Sequence, residues 1–133
     1  FLPLEFHETA DVKVEDTKGK TLIVAMSSDK GLCGGVHSTI SRAIRRDLAT
    51  AGNQAIEIVS IGDKCKMQLA RIAPERMVLS FSSVGQRPPT FLDASLISQK
   101  LMTLGDYSQV LLYFNKYVLF QTFFFAFFAT LQA

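Results

Sequence analysis

The residue types that can do chemistry concentrate in one short stretch of this 133-residue sequence, residues 27–38, which read SSDKGLCGGVHS. Three glycines and a cysteine there follow the apolar run 21–26, and a segment of helical character comes next. A strand, a glycine-rich turn and a helix in that order form the phosphate cradle of many nucleotide-binding proteins. The same order also occurs in a tight connection of an α/β sheet. The two interpretations are distinguished by comparing the residues of the turn with known phosphate-binding motifs.

Neither common phosphate-binding motif is present. A P-loop requires G-x-x-x-x-G-K-[ST], and Val36 and His37 stand where lysine and serine are needed. A dinucleotide fingerprint requires G-x-G-x-x-G and a later acidic residue, whereas the spacing here is G-x-x-G-G and Asp63 is a weak acidic candidate. We therefore predict a structural or contact turn without a cofactor, and an anion at the next helix N-terminus is the alternative. The turn residues are Asp29, Lys30, Gly31, Leu32, Cys33, Gly34 and Gly35.

Cys33 and His37 are the one pair that suggests catalysis. A thiol at a helix start ionises readily, and a histidine one turn later could act as its base, which is the pattern of a small cysteine-dependent enzyme. No Asn, Asp or Glu is placed to orient His37. Cys65 and His7 lie too far from this pair for metal-ligand spacing, so we predict no metal site.

The strands and helices on either side of the turn position it, and the sequence predicts that they alternate along the chain. Buried-type strands are predicted at 21–27, 55–61, 77–82 and 109–114, and helices at 36–48, 63–72 and 90–104. The third helix begins at a capping box formed by Thr90 and Asp93. Short connections between such elements predict a three-layer α/β fold. Its mainly parallel sheet carries helices on both faces, a Rossmann-like topology without a nucleotide site.

Three segments divide the chain. Residues 1–20 are a polar lead-in, residues 21–117 are the α/β domain, and residues 118–133 are an apolar, phenylalanine-rich tail. The uncharged run from Tyr117 to Ala133 has the length of a very short membrane span, for which about 17–25 residues are needed. A packed or partner-covered segment, a membrane-associated segment and a segment foreign to the domain are the three alternatives for this tail.

Composition narrows the function classes. The net charge of +2 is too small to indicate a nucleic-acid-binding protein. Two cysteines favour free thiols in a reducing compartment, with a single disulfide as the alternative. The N-terminus lacks the features of a signal peptide. The one dense basic cluster, Arg42, Arg45 and Arg46, indicates a solvated helix face or a contact with an acidic partner.

A family resemblance covers about residues 6–117. Residues 21–46, TLIVAMSSDKGLCGGVHSTISRAIRR, resemble the central-domain signature of the γ subunits of ATP synthases. Residues 58–64 are similar to the second strand and turn of that family, and residues 84–95 are similar to its mitochondrial branch. Residues 113–117, YFNKY, match another of its segments. Four collinear matches are far more specific than any one of them.

The resemblance implies a non-catalytic central-stalk (rotor) subunit of a proton-driven ATP synthase. Such a subunit couples proton flow through the membrane ring to ATP synthesis in the catalytic hexamer, on the matrix side of the mitochondrial inner membrane. The implied partners are the alpha and beta subunits, the small delta and epsilon stalk subunits and the membrane c-ring, in a hetero-oligomer without nucleic acid. The family's two long coiled-coil helices are not among these residues, and the tail departs from the family pattern after Tyr117. The alternatives are the cysteine-dependent enzyme and a membrane-anchored α/β module.

Overall fold

The computed structural model describes residues 19–32, 34–116 and 125–131. Every predicted strand and helix is present, with ends within two residues of the prediction. In chain order the elements are β1 (Thr21–Met26), α1 (Val36–Thr50), β2 (Ile56–Ile61), α2 (Asp63–Ile72), a 3-10 turn (Pro74–Arg76), β3 (Met77–Phe81), α3 (Phe91–Met102), β4 (Gln109–Lys116) and β5 (Phe125–Leu131).

The strands form one five-stranded sheet in the order β3-β2-β1-β4-β5. The first four strands of that order pair in parallel, and β5 runs antiparallel to β4. In the register of the sheet, Ile23 of β1 lies between Ile58 of β2 and Leu111 of β4. The prediction of a mainly parallel sheet is therefore confirmed.

Helices cover the sheet on both sides, as predicted. Ile23 and Ile58 point to the face that α1 and α2 cover, where Ile40, Ile44 and Leu69 complete a fully buried cluster. Alternate residues of β1 and β2 point to the other face, over which α3 packs with half-buried side chains. A strand covered on both faces needs apolar residues at every position, which is why β1 is continuously apolar. The structure is a three-layer α/β fold.

Part of the phenylalanine-rich tail belongs to the sheet. The backbone of residues 125–131 pairs with β4, with Phe125 opposite Lys116 and Leu131 opposite Val110. Sequence patterning predicted no strand there, because a run of aromatic residues lacks clear alternation. The three-segment division of the chain stays a prediction, since residues 1–18 and 117–124 lie outside the described part.

None of the helices in the described part of the chain combines the length and the apolar character that crossing a bilayer requires.

Candidate functional site

The predicted turn connects β1 to α1 at the carboxyl edge of the sheet. The chain passes from β1 to β2 and β3 on one side and returns to β4 on the other, so the strand order reverses between β1 and β4. Ligands of open α/β sheets bind in the crevice at such a reversal. The glycine turn therefore lies where a nucleotide would bind if the protein had a nucleotide site.

Ser27 closes this edge of the sheet. Its backbone N–H donates to the carbonyl of Ile61 at 2.7 Å, and its Oγ accepts a hydrogen bond from the N–H of Cys65 at 3.2 Å. Gly62 approaches so closely that a Cβ atom there would lie 2.8 Å from the carbonyl carbon of Ser27. The ends of β1 and β2 and the start of α2 are thus held together by direct contact.

Asp29 occupies the position that a bound anion would take at α2. Its Oδ1 accepts a hydrogen bond from the backbone N–H of Asp63, the first residue of that helix, at 2.8 Å. Unpaired N–H groups at a helix start are the groups that bind phosphate. Because Ser27 and Asp29 accept from two of them, the chain's own side chains fill this anion position. This arrangement supports a structural turn at α2 over a phosphate cradle.

His37 holds the turn from the other side. Its side chain is buried, and Nε2 lies 3.0 Å from the carbonyl oxygen of Lys30, to which it must donate. Nδ1 is then an acceptor, and it is buried without a hydrogen-bond partner among the described residues. Cys33 lies outside the described residues, so the proposed catalytic pair stays a prediction.

Leu32 is the most exposed apolar residue of the turn. Its side chain is fully exposed, and its backbone is left-handed with φ 58°. That conformation costs a non-glycine residue about 1–2 kcal/mol. Among the glycines of the turn, Gly34 also has a positive φ (63°), whereas Gly35 has φ −79°. The turn therefore displays a leucine in a conformation that glycine adopts more easily.

The three arginines of the predicted contact cluster share the solvent-facing side of α1. Arg42, Arg45 and Arg46 are all exposed. Arg42 donates to Ser38 Oγ at 3.4 Å, and Arg46 Nε lies 3.4 Å from a carboxylate oxygen of Asp47. The structure thus places the cluster on one side of a helix that faces away from the sheet.

Two positioning residues lie in the segment YFNKY that resembles the family, but the sequence analysis assigned no role to either of them. Tyr113 is completely buried and donates from its hydroxyl to Asp47 Oδ2 at 2.7 Å, which fixes α1 to β4. Burial raises the pKa of Tyr113 above its ordinary value, and the hydrogen bond to Asp47 adds to the rise. Asn115 donates from Nδ2 to the carbonyl of Val36 at 2.9 Å and holds the start of α1. These partners are far apart in the sequence, so no local pattern could have identified them.

Cys65 is a buried free thiol beside Ser41, whose Oγ lies 3.4 Å from its Sγ. Burial raises the pKa of this thiol, which opposes nucleophilic chemistry at neutral pH. Among the residues that the structure describes, no group of three or more His, Cys, Asp or Glu side chains could hold a metal ion.

Comparison with known proteins gives consistent matches. The family model described as ATP synthase matches residues 4–124. A mitochondrial ATP synthase subunit gamma from Pichia angusta is 46% identical over 114 residues, which are 86% of this chain and 42% of the relative. The mitochondrial ATP synthase F(1) complex subunit gamma of Rattus norvegicus is 38% identical over 117 residues, 86% of this chain and 43% of the relative. The chain thus spans less than half the length of these relatives.

A solved structure agrees with these sequence matches. A chain from the cryo-EM structure of the Tetrahymena thermophila mitochondrial ATP synthase, central stalk and c-ring, superposes with a TM-score of 0.73 at 30% sequence identity. The superposition covers 89% of the chain described here and 52% of that chain.

Proposed function

Because this chain belongs to the gamma-subunit family of ATP synthases, we propose that it is a non-catalytic part of the central stalk of a mitochondrial ATP synthase. In this role it transmits torque between the membrane ring and the catalytic hexamer. The observation that carries the proposal is the fold shared with a chain of a solved central stalk, at 30% identity over 89% of this chain.

The closed carboxyl edge of the sheet supports a role without nucleotide chemistry. Ser27 and Asp29 accept hydrogen bonds from the first turn of α2, so these N–H groups are not open to a phosphate, whereas the start of α1 has no side-chain cap. The structural turn also ties β1 firmly to β2, through the bond from Ser27 N–H to Ile61. Such a tightly bonded connection is suited to a rigid domain that transmits force. It is less suited to a domain that must open to admit a ligand.

The packed sheet supports a mechanical role for the domain. β1 and β2 are buried on both faces, and the core side chains Ile23, Ile58 and Leu111 are fully buried. Interiors packed at crystal-like density have low compressibility and transmit strain. A load applied at the outer helices therefore reaches the opposite side of the domain with little deformation.

The proposed partners are the other subunits of the hetero-oligomer. They comprise the alpha and beta subunits of the hexamer, the delta and epsilon stalk subunits and the membrane c-ring, on the matrix side of the mitochondrial inner membrane. Two surfaces are proposed as contacts. One is the turn 29–35 with its exposed Leu32, and the other is the arginine cluster on α1.

Affinity purification tests this function. The chain is tagged and recovered from mitochondria in mild detergent, and the proteins that co-purify are identified by mass spectrometry. We expect the alpha and beta subunits together with the small stalk subunits. Recovery of the folded chain alone would overturn the proposal.

A core variant provides the matched control. Replacing the fully buried Leu111 by Asp places a charge inside the cluster between the sheet and α1, so the domain should not fold. If the tagged Leu111→Asp chain recovers the same subunits as the wild type, the recovery does not depend on the fold and counts against the proposal.

A further inference from the structure

The outer sides of α1 and α2 form a surface with an excess of positive charge. The two helices pack against each other on one face of the sheet. α1 has three arginines and one aspartate, and α2 has three basic residues and one aspartate, so each helix has a net charge of +2. The whole chain has +2, so the rest of the sequence is net −2. We call the basic side chains of these two helices the basic face; Arg42, Arg45, Arg46, Lys66 and Arg71 are exposed, and Lys64 is half-buried.

The acidic groups of the two helices neutralise only part of this charge. Asp47 is largely buried; its Oδ2 accepts the hydroxyl of Tyr113, and its Oδ1 forms an ion pair with Arg46 at 3.4 Å. Asp63 lies at the start of α2, where an acidic group offsets the positive end of the helix dipole. Arg45 makes no hydrogen bond or ion pair with any residue in the described part of the chain.

Stability of the helix does not explain the arginine cluster. Arg42, Arg45 and Arg46 are spaced i, i+3 and i+4, so three like charges are neighbours on one side of α1 and repel one another. None of them lies in the last turn, where a cation would interact favourably with the helix dipole. A solvated helix normally places acidic residues at these spacings. The cluster therefore costs the isolated domain stability.

The side-chain chemistry of the cluster suits carboxylates. All three residues are arginines, and the planar guanidinium matches a carboxylate or a phosphate with two parallel hydrogen bonds, which lysine cannot do. Phosphates occur in lipid headgroups and in nucleic acids, and carboxylates occur on acidic protein surfaces. Because the net charge of +2 is too small to indicate a nucleic-acid-binding protein, we compare lipid headgroups and acidic protein surfaces as ligands of the basic face.

The apolar residues of α1 favour a protein over a membrane. A helix that lies on a bilayer inserts an apolar side into the headgroup region. The apolar residues Ile40 and Ile44 of α1 are completely buried against the sheet, and none of the large exposed apolar side chains of the described residues lies on α1. On the neighbouring α2, Met67 and Ile72 are exposed, so this argument applies to the arginines of α1 alone, which are suited to a carboxylate-bearing protein surface.

We propose that the basic face docks onto a carboxylate-rich surface of another protein subunit, with Arg42 and Arg45 as the principal contacts. That the partner is a subunit of an ATP synthase rests on the proposed function. That the partner surface is acidic rests on the charges of α1 and α2 alone. The complex is then held by charge-assisted hydrogen bonds that weaken as salt concentration rises.

A pair of matched double variants tests this docking surface. R42Q/R45Q removes two charges from the basic face, whereas R87Q/K100Q removes two exposed charges from the α3 side of the domain. The measurement is the fraction of the tagged chain that remains bound to co-purifying subunits as salt is increased. We expect R42Q/R45Q to lower retention at physiological salt by about 10-fold or more, and the control to stay within about twofold of the wild type.

A lysine variant tests the geometry of the contact. R42K/R45K keeps both charges and loses the bidentate fork, so we expect retention between that of the wild type and that of R42Q/R45Q. If R42Q/R45Q is retained as well as R87Q/K100Q while the wild type still recovers ATP synthase subunits, the docking surface is wrong and the proposed function stands.

Zero-length crosslinking tests the docking surface without assuming which protein is the partner. In intact mitochondria, a carbodiimide joins a lysine amine to a carboxylate in direct contact. We expect the exposed Lys66 to crosslink to Asp or Glu of another protein, and Lys100 on α3 to give no such product. Absence of any Lys66 crosslink, together with equal retention of the two double variants, would overturn the inference.

Vesicle flotation tests the membrane alternative. The purified chain is mixed with phosphatidylcholine vesicles that contain anionic phosphatidylserine. We expect no flotation of the wild type. If the wild type floats and R42Q/R45Q does not, lipid phosphates bind the basic face and the carboxylate proposal is overturned.

Discussion

Ser27 shows how much one small side chain does at the carboxyl edge of the sheet. It joins β1 to the end of β2 through Ile61 and to the first turn of α2 through Cys65. Gly62 makes this contact possible, because its φ of 98° and the 2.8 Å approach to the carbonyl carbon of Ser27 leave no room for a side chain. The tight junction depends on the absence of a Cβ atom at position 62.

Gly62→Ala is therefore expected to destabilise the domain more than Gly52→Ala. Gly62 combines a backbone conformation that L residues rarely adopt with a backbone clash, and we expect a loss of about 3 kcal/mol in the free energy of unfolding. Gly52 has a φ of 57° and no atom within 4 Å of an added Cβ, so its loss should be about 1 kcal/mol. Urea denaturation of both variants measures the difference. Equal losses would show that the junction with Ser27 is not tight.

The amino ends of three strands are joined by a polar cluster of three side chains. Lys20, just before β1, lies 2.9 Å from Glu57 Oε1 of β2, and Tyr107, just before β4, donates to Glu57 Oε2 at 2.5 Å. The hydrogen bond from Tyr107 lowers the pKa of Glu57, and the contact with Lys20 lowers it further. The same cluster, chiefly through burial, raises the pKa of Tyr107 to about 12. The ionised carboxylate thus fixes the relative positions of β1, β2 and β4.

This cluster predicts a pH-dependent effect of Tyr107→Phe. Because the pKa of Glu57 is lowered in the folded state, its contribution is present above the ordinary value of 4.5 and is lost as pH falls through the folded pKa. We expect the variant to be less stable than the wild type at pH 7, and the difference in free energy of unfolding to shrink between pH 5 and pH 3. Denaturation at each pH measures it. A difference that does not change with pH would contradict the assigned role of Glu57.

At the scale of the whole molecule, the residues that fold the domain differ from the exposed residues that we propose as contacts. Leu32 and the basic face contribute little to the core, and both carry a cost in the isolated domain. Natural proteins commonly accept such local costs where a surface serves function. We interpret Leu32 and the outer side of α1 in this way.

Leu32→Gly tests this separation for the turn. Glycine adopts the left-handed backbone without strain, which offsets the larger entropy that it loses on folding, so we expect stability to be unchanged or to rise by up to about 1 kcal/mol. If the turn is a contact, the tagged variant should recover fewer ATP synthase subunits than the wild type. Met102→Gly removes another exposed apolar side chain, near the end of α3, and serves as the control. Equal recovery from both variants would make Leu32 a purely structural residue of the turn.

The sequence by itself determined β1 to β4, the three α-helices and the fold class, because these follow from patterns among neighbouring residues, whereas it did not indicate β5. The continuous apolar run of β1 indicated a strand covered on both faces, and it is buried on both. The predicted capping box is present, with the Thr90 N–H donating to Asp93 at 2.8 Å. The family followed from four collinear segments and is confirmed by the relatives.

Only the tertiary structure decided what occupies the carboxyl edge of the sheet. Asp29 meets the N–H of Asp63 across 34 residues, and the buried Tyr113 meets Asp47 across 66. Such pairs depend on which strands become neighbours and in which register, and parallel strands become neighbours only through long crossover connections. A sequence pattern records the period of each element, whereas these contacts arise from the packing of elements that are distant along the chain.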